Sequence, residues 1–96
     1  SNQVAGARVL FRYSAEDVYF VASAAGPIRV EVRRDNLPLS PSAAGPDIVF
    51  EGAKSYVILK ADRLYHLVRE PNGPGRHLLE LIIETPGLKA YTFTFG

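Results

Sequence analysis

Apolar residues recur at every second position through most of this chain, in short runs separated by Gly, Pro, Asn or Asp. A period of two puts alternate side chains on opposite faces of an extended strand, whereas a helix buries residues three and four apart. Ala7 to Tyr13 alternates, with Val9, Phe11 and Tyr13 on one face and Arg8 and Arg12 on the other. Asp17 to Ala24 follows a polar corner at Ser14 to Glu16. After the Gly26-Pro27 break, Ile28, Val30 and Val32 oppose Arg29, Glu31 and Arg33. That is the pattern of a half-buried strand. Asp35-Asn36 then supplies two residues that tolerate positive φ, as a two-residue hairpin turn requires.

Leu37 to Pro46 is rich in Pro, Ser, Ala and Gly and reads as an ordered loop or a weak edge strand, because its prolines exclude a central one. Asp47 to Phe50, Ser55 to Lys60, Arg63 to Glu70, Arg76 to Glu84 and Lys89 to Phe95 complete the strand set. Ser55 to Arg69 lacks internal Gly or Pro and is long enough for a helix. Its Val57, Ile58, Tyr65 and Val68 favour strand, with a corner at Ala61-Asp62. The expected class is all-β, with about eight short antiparallel strands in a sandwich or barrel.

In the last two strands, Leu79, Leu81 and Ile83 share one face, with His77 at its edge. Tyr91, Phe93 and Phe95 are expected to fill the same core, worth several kcal/mol at roughly 25 cal/mol per Å² buried. Leu78 and Ile82 fall on the opposite face beside Glu80 and Glu84, and Val21 points outward if Val18, Phe20 and Ala22 point in. An outward apolar patch marks a partner surface. Another domain, a second copy of the chain, or the Leu37 to Pro46 segment folding over it would cover it.

With 96 residues there is room for one domain and one core. Eleven basic residues offset ten acidic ones, for a net charge of +1, and no basic run exceeds Arg33-Arg34. That balance gives no reason to expect a nucleic-acid or anionic-membrane partner. The chain has no cysteine, hence no disulfide or thiolate chemistry of its own. No apolar stretch approaches the roughly 20 residues that span a bilayer, and no signal-type start is visible. Ser1-Asn2 reads as a cloning remnant, and a first strand near Ala7 suggests a piece of a longer protein.

The stretch "DRLYHLVREPNGPGRHLLELIIETPGLKAYTFTFG", Asp62 to Gly96, resembles the C-terminal domain of DipZ-like thiol–disulfide oxidoreductases. The terminal "PGLKAYTFTFG" is the most specific part, and the likeness extends more weakly through "EDVYFVASAAGPIRVEVRRDNLPLS" and "AGPDIVF". The resemblance implies a jelly-roll β-sandwich similar to carbohydrate-binding modules. It also implies an upstream thioredoxin-like domain bearing the redox Cys-x-x-Cys, and an extracytoplasmic setting in the periplasm or cell envelope. No catalytic residue carries over, because nothing here corresponds to that motif. The chain departs from the family at Arg34-Asp35-Asn36, where Leu-Asp-Gly is usual, and in lacking any tryptophan. The first strand of the sandwich is then either missing or supplied by a neighbour.

Other chemistry is weakly signalled. His66 and His77 are the only histidines and lie in no cluster with metal-ligand spacing, so no metal or other cofactor is expected. His77 reads as a strand-edge residue bonded to backbone and His66 as surface or semi-buried. Glu16 with Asp17, and Glu80 with Glu84, are the carboxylate pairs a small hydrolase would need across a sugar. Ser40, Ser42 and Ser55 lack a nucleophile elbow, and "PNGPG" at Pro71 to Gly75 reads as a hairpin loop. Asp47, Glu51 and Asp62 have no diagnostic calcium spacing. For sugar binding the residues to test are Tyr19 and Tyr56, with Arg29 and Arg33 as polar neighbours; the alternative places every tyrosine in core or rim with its hydroxyl satisfied. The expected work is non-catalytic: docking or positioning of the redox domain, or glycan binding.

Overall fold

The structure, a computed structural model, describes residues 7–96. Ser1 and Asn2 lie outside the described residues. The alternating pattern folds into strands throughout: β1 (Ala7–Ala15), β2 (Asp17–Ala24), β3 (Ile28–Arg34), β4 (Leu37–Pro38), β5 (Ile48–Glu51), β6 (Lys54–Leu59), β7 (Arg63–Arg69), β8 (Gly75–Ile83) and β9 (Leu88–Phe95). The segment from Ser55 to Arg69 that could have been drawn as a helix is β6 and β7. Its corner is held by the Tyr65 hydroxyl, which accepts the Lys60 and Ala61 N–H groups and donates to the Ala61 carbonyl.

Two antiparallel sheets face each other. The larger runs β1-β8-β3-β6-β5, with β4 paired to β3, and the smaller runs β7-β2-β9. The pairings are nested: β1 with β8, β2 with β7 and β3 with β6. The β3–β4 turn uses Asp35 and Asn36 at φ of 53° and 67°, the left-handed pair that a tight hairpin needs.

The inward faces interdigitate. Val30, Val32, Val57, Leu59, Leu79 and Leu81 of the larger sheet meet Val18, Phe20, Tyr65 and Leu67 of the smaller one, all fully buried. Leu37 to Pro46 does not lie over an outward face. Its Leu39 N–H bonds to Ser55 Oγ on β6, and Ala44 forms a bridge with Val68 on β7, so it closes the side of the sandwich between them. Leu39 and Ala43 are buried there.

β9 departs from expectation. Its aromatics do share the inward side, since Ala22, Phe20 and Val18 pair with Tyr91, Phe93 and Phe95. Yet Tyr91 is 45% and Phe95 50% exposed, and only Phe93 is wedged in, 3.9 Å from Phe11 and 5.0 Å from Phe20 between ring centroids. The reason is position. β9 edges the smaller sheet as β1 edges the larger, so side chains at the ends of β9 overhang the core rather than seal it.

Candidate functional site

The two outward faces differ in chemistry. On the larger sheet, β3 lies between β6 and β8, so the charges alternating along it meet charges from its neighbours. Arg8 pairs with Glu80 at 3.3 Å, Arg33 with Glu31 at 3.4 Å, and Arg29 with Glu51 at 2.6 Å and Glu84 at 3.8 Å. Glu31 and Glu80 are buried beneath this lattice. Tyr56 is 6% exposed and covered by the Arg29 guanidinium, 4.3 Å from its ring centroid, so it offers no open ring face. Glu80 and Glu84 are each held by a separate arginine.

Tyr19 lies on the other side of the molecule. It stacks on His66 at 4.4 Å, and His66 Nε2 is 2.9 Å from Asp17 Oδ1. Of the residues expected to serve a sugar, Arg29, Arg33 and Tyr56 are therefore together on the larger sheet, and Tyr19 is apart from them. The docking candidates divide in the same way. Ile82 sits half-buried on the larger sheet, opposite Glu31 on one neighbour and Arg8 on the other. Leu78 lies in the first half of the same strand, opposite Arg12. Val21 is on the smaller sheet.

Around Val21 the surface is apolar. Leu64, Val21 and Thr92 line up across β7, β2 and β9, and Ser23 and Ala90 form the next row. Small side chains leave a shallow trough of about 420 Å³ there, bounded by Asp62 and Arg63 at one end. Leu64 and Tyr91 are exposed. Val21 was legible as outward-facing from its period. Leu64 was not singled out, because its membership depends on the β2–β7 register.

A second constellation joins the end of β1, the β3–β4 turn and the residue after β7. Glu70 is 5% exposed. It accepts the Tyr13 hydroxyl at 2.6 Å and Arg34 Nη1 at 2.5 Å, and His77 Nε2 lies 3.4 Å away. His77 Nδ1 is 2.6 Å from Asp35 Oδ2, while Asp35 Oδ1 accepts the Leu78 N–H at 2.9 Å. His77 is thus bonded to a carboxylate, where backbone had been expected. Burial, then the hydrogen bond and charge of Glu70, push the Tyr13 hydroxyl well above its ordinary range. Burial alone would raise Asp35, but the Leu78 N–H and His77 outweigh it and hold the carboxyl below its usual value.

In a hydrolytic triad the imidazole nitrogen distal to the carboxylate meets a nucleophile. Here that nitrogen faces Glu70 instead. The arrangement cross-braces four segments of chain: it satisfies a buried carboxylate and fixes the turn against β8.

A family model described as thioredoxin like C-terminal domain matches residues 1–96. No curated protein and no solved structure matches the chain. With an all-β sandwich of the kind the terminal motif implies, and a match over the whole sequence, the chain belongs to the family of thioredoxin-like C-terminal domains.

Proposed function

We propose that this domain is a non-catalytic accessory module that docks onto the redox domain of a DipZ-like, extracytoplasmic thiol–disulfide oxidoreductase through the outward face of β7-β2-β9. The observation that carries the reading is the contrast between the two sheets. One outward face carries ion pairs along its strands, with Leu10 and Val49 exposed towards its edges, and the other holds an apolar trough around Val21 and Leu64 that nothing in the described residues covers. Contiguous apolar surface of this kind marks a contact site, and the family supplies the occupant, an upstream thioredoxin-like domain. The nested strand pairing also supports a jelly-roll winding, the pattern made by rolling up one long hairpin.

The test uses the parent protein with both domains. Val21→Asp should loosen the pair, seen as faster proteolysis between the domains and a more extended scattering profile, with the sandwich's own melting unchanged. Ile82→Asp should leave the pair intact. The reverse result would move the docking face to the larger sheet and overturn the assignment. A concentration-dependent dimer abolished by Val21→Asp would instead assign the trough to a second copy.

A second reading, glycan binding, draws on Tyr19, whose ring keeps an outward position beside Asp17 and His66. Saturable binding on a polysaccharide array, lost in Tyr19→Ala, would support it. An empty array would remove it.

A further inference from the structure

Where β1 ends and β8 begins, a cleft of about 370 Å³ opens beside the β3–β4 turn, lined by Arg12, Ser14, Arg76, His77 and Leu78 with Asp35 at its side. The register sets Arg12 opposite Leu78 and Ser14 opposite Arg76. All four therefore share the outward face, and the two guanidiniums are diagonal neighbours, with backbones roughly 7–8 Å apart. Like charges so placed repel unless an anion lies between them. Arg8, Arg29, Arg33, Arg34 and Arg63 each have a carboxylate within ion-pair distance. Arg12, Arg69 and Arg76 have none among the described residues, and of these three Arg12 and Arg76 lie together at the cleft.

The carboxylates near the cleft are engaged elsewhere. Both oxygens of Asp35 are taken, by His77 and by the Leu78 N–H. Glu70 is buried and accepts Tyr13 and Arg34. Two arginine forks, each able to donate in bidentate fashion to an oxyanion, thus flank a serine hydroxyl over an apolar Leu78, with no internal acceptor for their charge.

We propose that this cleft is an oxyanion-binding site, taking a ligand that presents a carboxylate or a phosphate to Arg12 and Arg76. The site lies on the sheet opposite the apolar trough, so it is independent of the docking face.

Nuclear magnetic resonance titration of the whole chain with inorganic phosphate and with acetate, at constant ionic strength and against sodium chloride, tests it. The expected result is saturable shifts at the amides of Arg12, Ser14, Arg76 and Leu78, weakened at least tenfold by Arg12→Gln or Arg76→Gln. Both arginines are exposed, so these variants keep the fold. Saturation by phosphate alone assigns a phosphate-bearing ligand, and saturation by acetate as well assigns a carboxylate. Shifts that rise linearly, that chloride reproduces, or that survive both substitutions would overturn the site.

Discussion

A carboxylate taken out of water has to find enough donors to replace its hydration. Glu70 finds the Tyr13 hydroxyl and the Arg34 guanidinium, with His77 close by. Glu70→Ala leaves the buried Tyr13 hydroxyl and the partly buried Arg34 without their acceptor, and should cost about 2–4 kcal/mol in urea unfolding, somewhat less than loss of one partner of a fully buried pair. Tyr13→Phe removes a single hydrogen bond and should cost about 1–2 kcal/mol; equal losses in the two variants would show that Arg34 contributes nothing. The tyrosine also sets a pH dependence. Its hydroxyl is held protonated above the ordinary value of 10.0, so as pH rises past that value the unfolded chain releases the proton first. The contribution is therefore complete below pH 10 and declines above it, and Tyr13→Phe should flatten that alkaline decline. Periodicity sets Tyr13 on one face with Val9 and Phe11, and in the structure that face of β1 is the inward one. What its hydroxyl meets was not legible, because Glu70 is 57 positions away in sequence and their meeting depends on the way the sheets cross. His77 was misread for the same reason: its carboxylate lies on a turn 42 residues distant.

Strands were the most legible level, since a period of two is a local property that each segment displays alone. What the alternation could not convey is a strand's rank within its sheet. β9 has the same apolar rhythm as β8, which is paired on both sides, yet it sits at an edge and leaves Tyr91 and Phe95 half in solvent. The two phenylalanines should consequently respond unequally. Phe93→Ala opens a gap against Phe11 and Phe20 and should cost about 2–3 kcal/mol, whereas Phe95→Ala should cost about 1 kcal/mol. Equal losses in chemical denaturation would mean that β9 is packed along its whole length. The Leu37 to Pro46 segment shows the opposite case, a stretch with weak rhythm that is nevertheless tightly placed. Gly45 donates its N–H to the Leu67 carbonyl at 2.9 Å, and a Cβ there would come within 2.2 Å of the His66 carbonyl oxygen. The contact is with backbone that cannot swing aside, so Gly45→Ala should lift the segment from β7. Hydrogen exchange at the Gly45 and Arg69 amides, both bonded across this seam, should accelerate, and the melting temperature should fall. An alanine variant that melts like the parent would show that the seam yields more easily than its geometry implies.

At the scale of the molecule, the nested pairing ties the first described residues to nearly the last: Ala7 pairs with Ile83, and β8 sits between β1 and β3 in the larger sheet. Non-local pairing of this kind must meet its loop-closure entropy before any contact rewards it. No shorter piece that lacks β8 can therefore close the larger sheet, because β1 would have no partner and one side of β3 would be left unpaired. β9 stands differently, since it adds only to the edge of β2. A chain ending at Glu84 keeps the larger sheet and the β2–β7 pair, and it should retain a cooperative, weakened unfolding transition. A chain ending at Pro74 should show none, and its amide spectrum should collapse into the narrow range of an unfolded polypeptide. Circular dichroism melts and proton spectra of the two truncations separate these outcomes. Cooperative unfolding of the shorter chain would mean that β2, β3, β6 and β7 form a core by themselves, and that β1 and β8 are a later addition to the sheet. The same dependence bears on the proposed division of labour between the faces. The Arg8–Glu80 pair and the oxyanion cleft both lie on β8 and its neighbour β1, so they come into being only when the chain closes on itself. The apolar trough needs just β7, β2 and β9, which makes it the surface that a docking partner could stabilise independently of the rest.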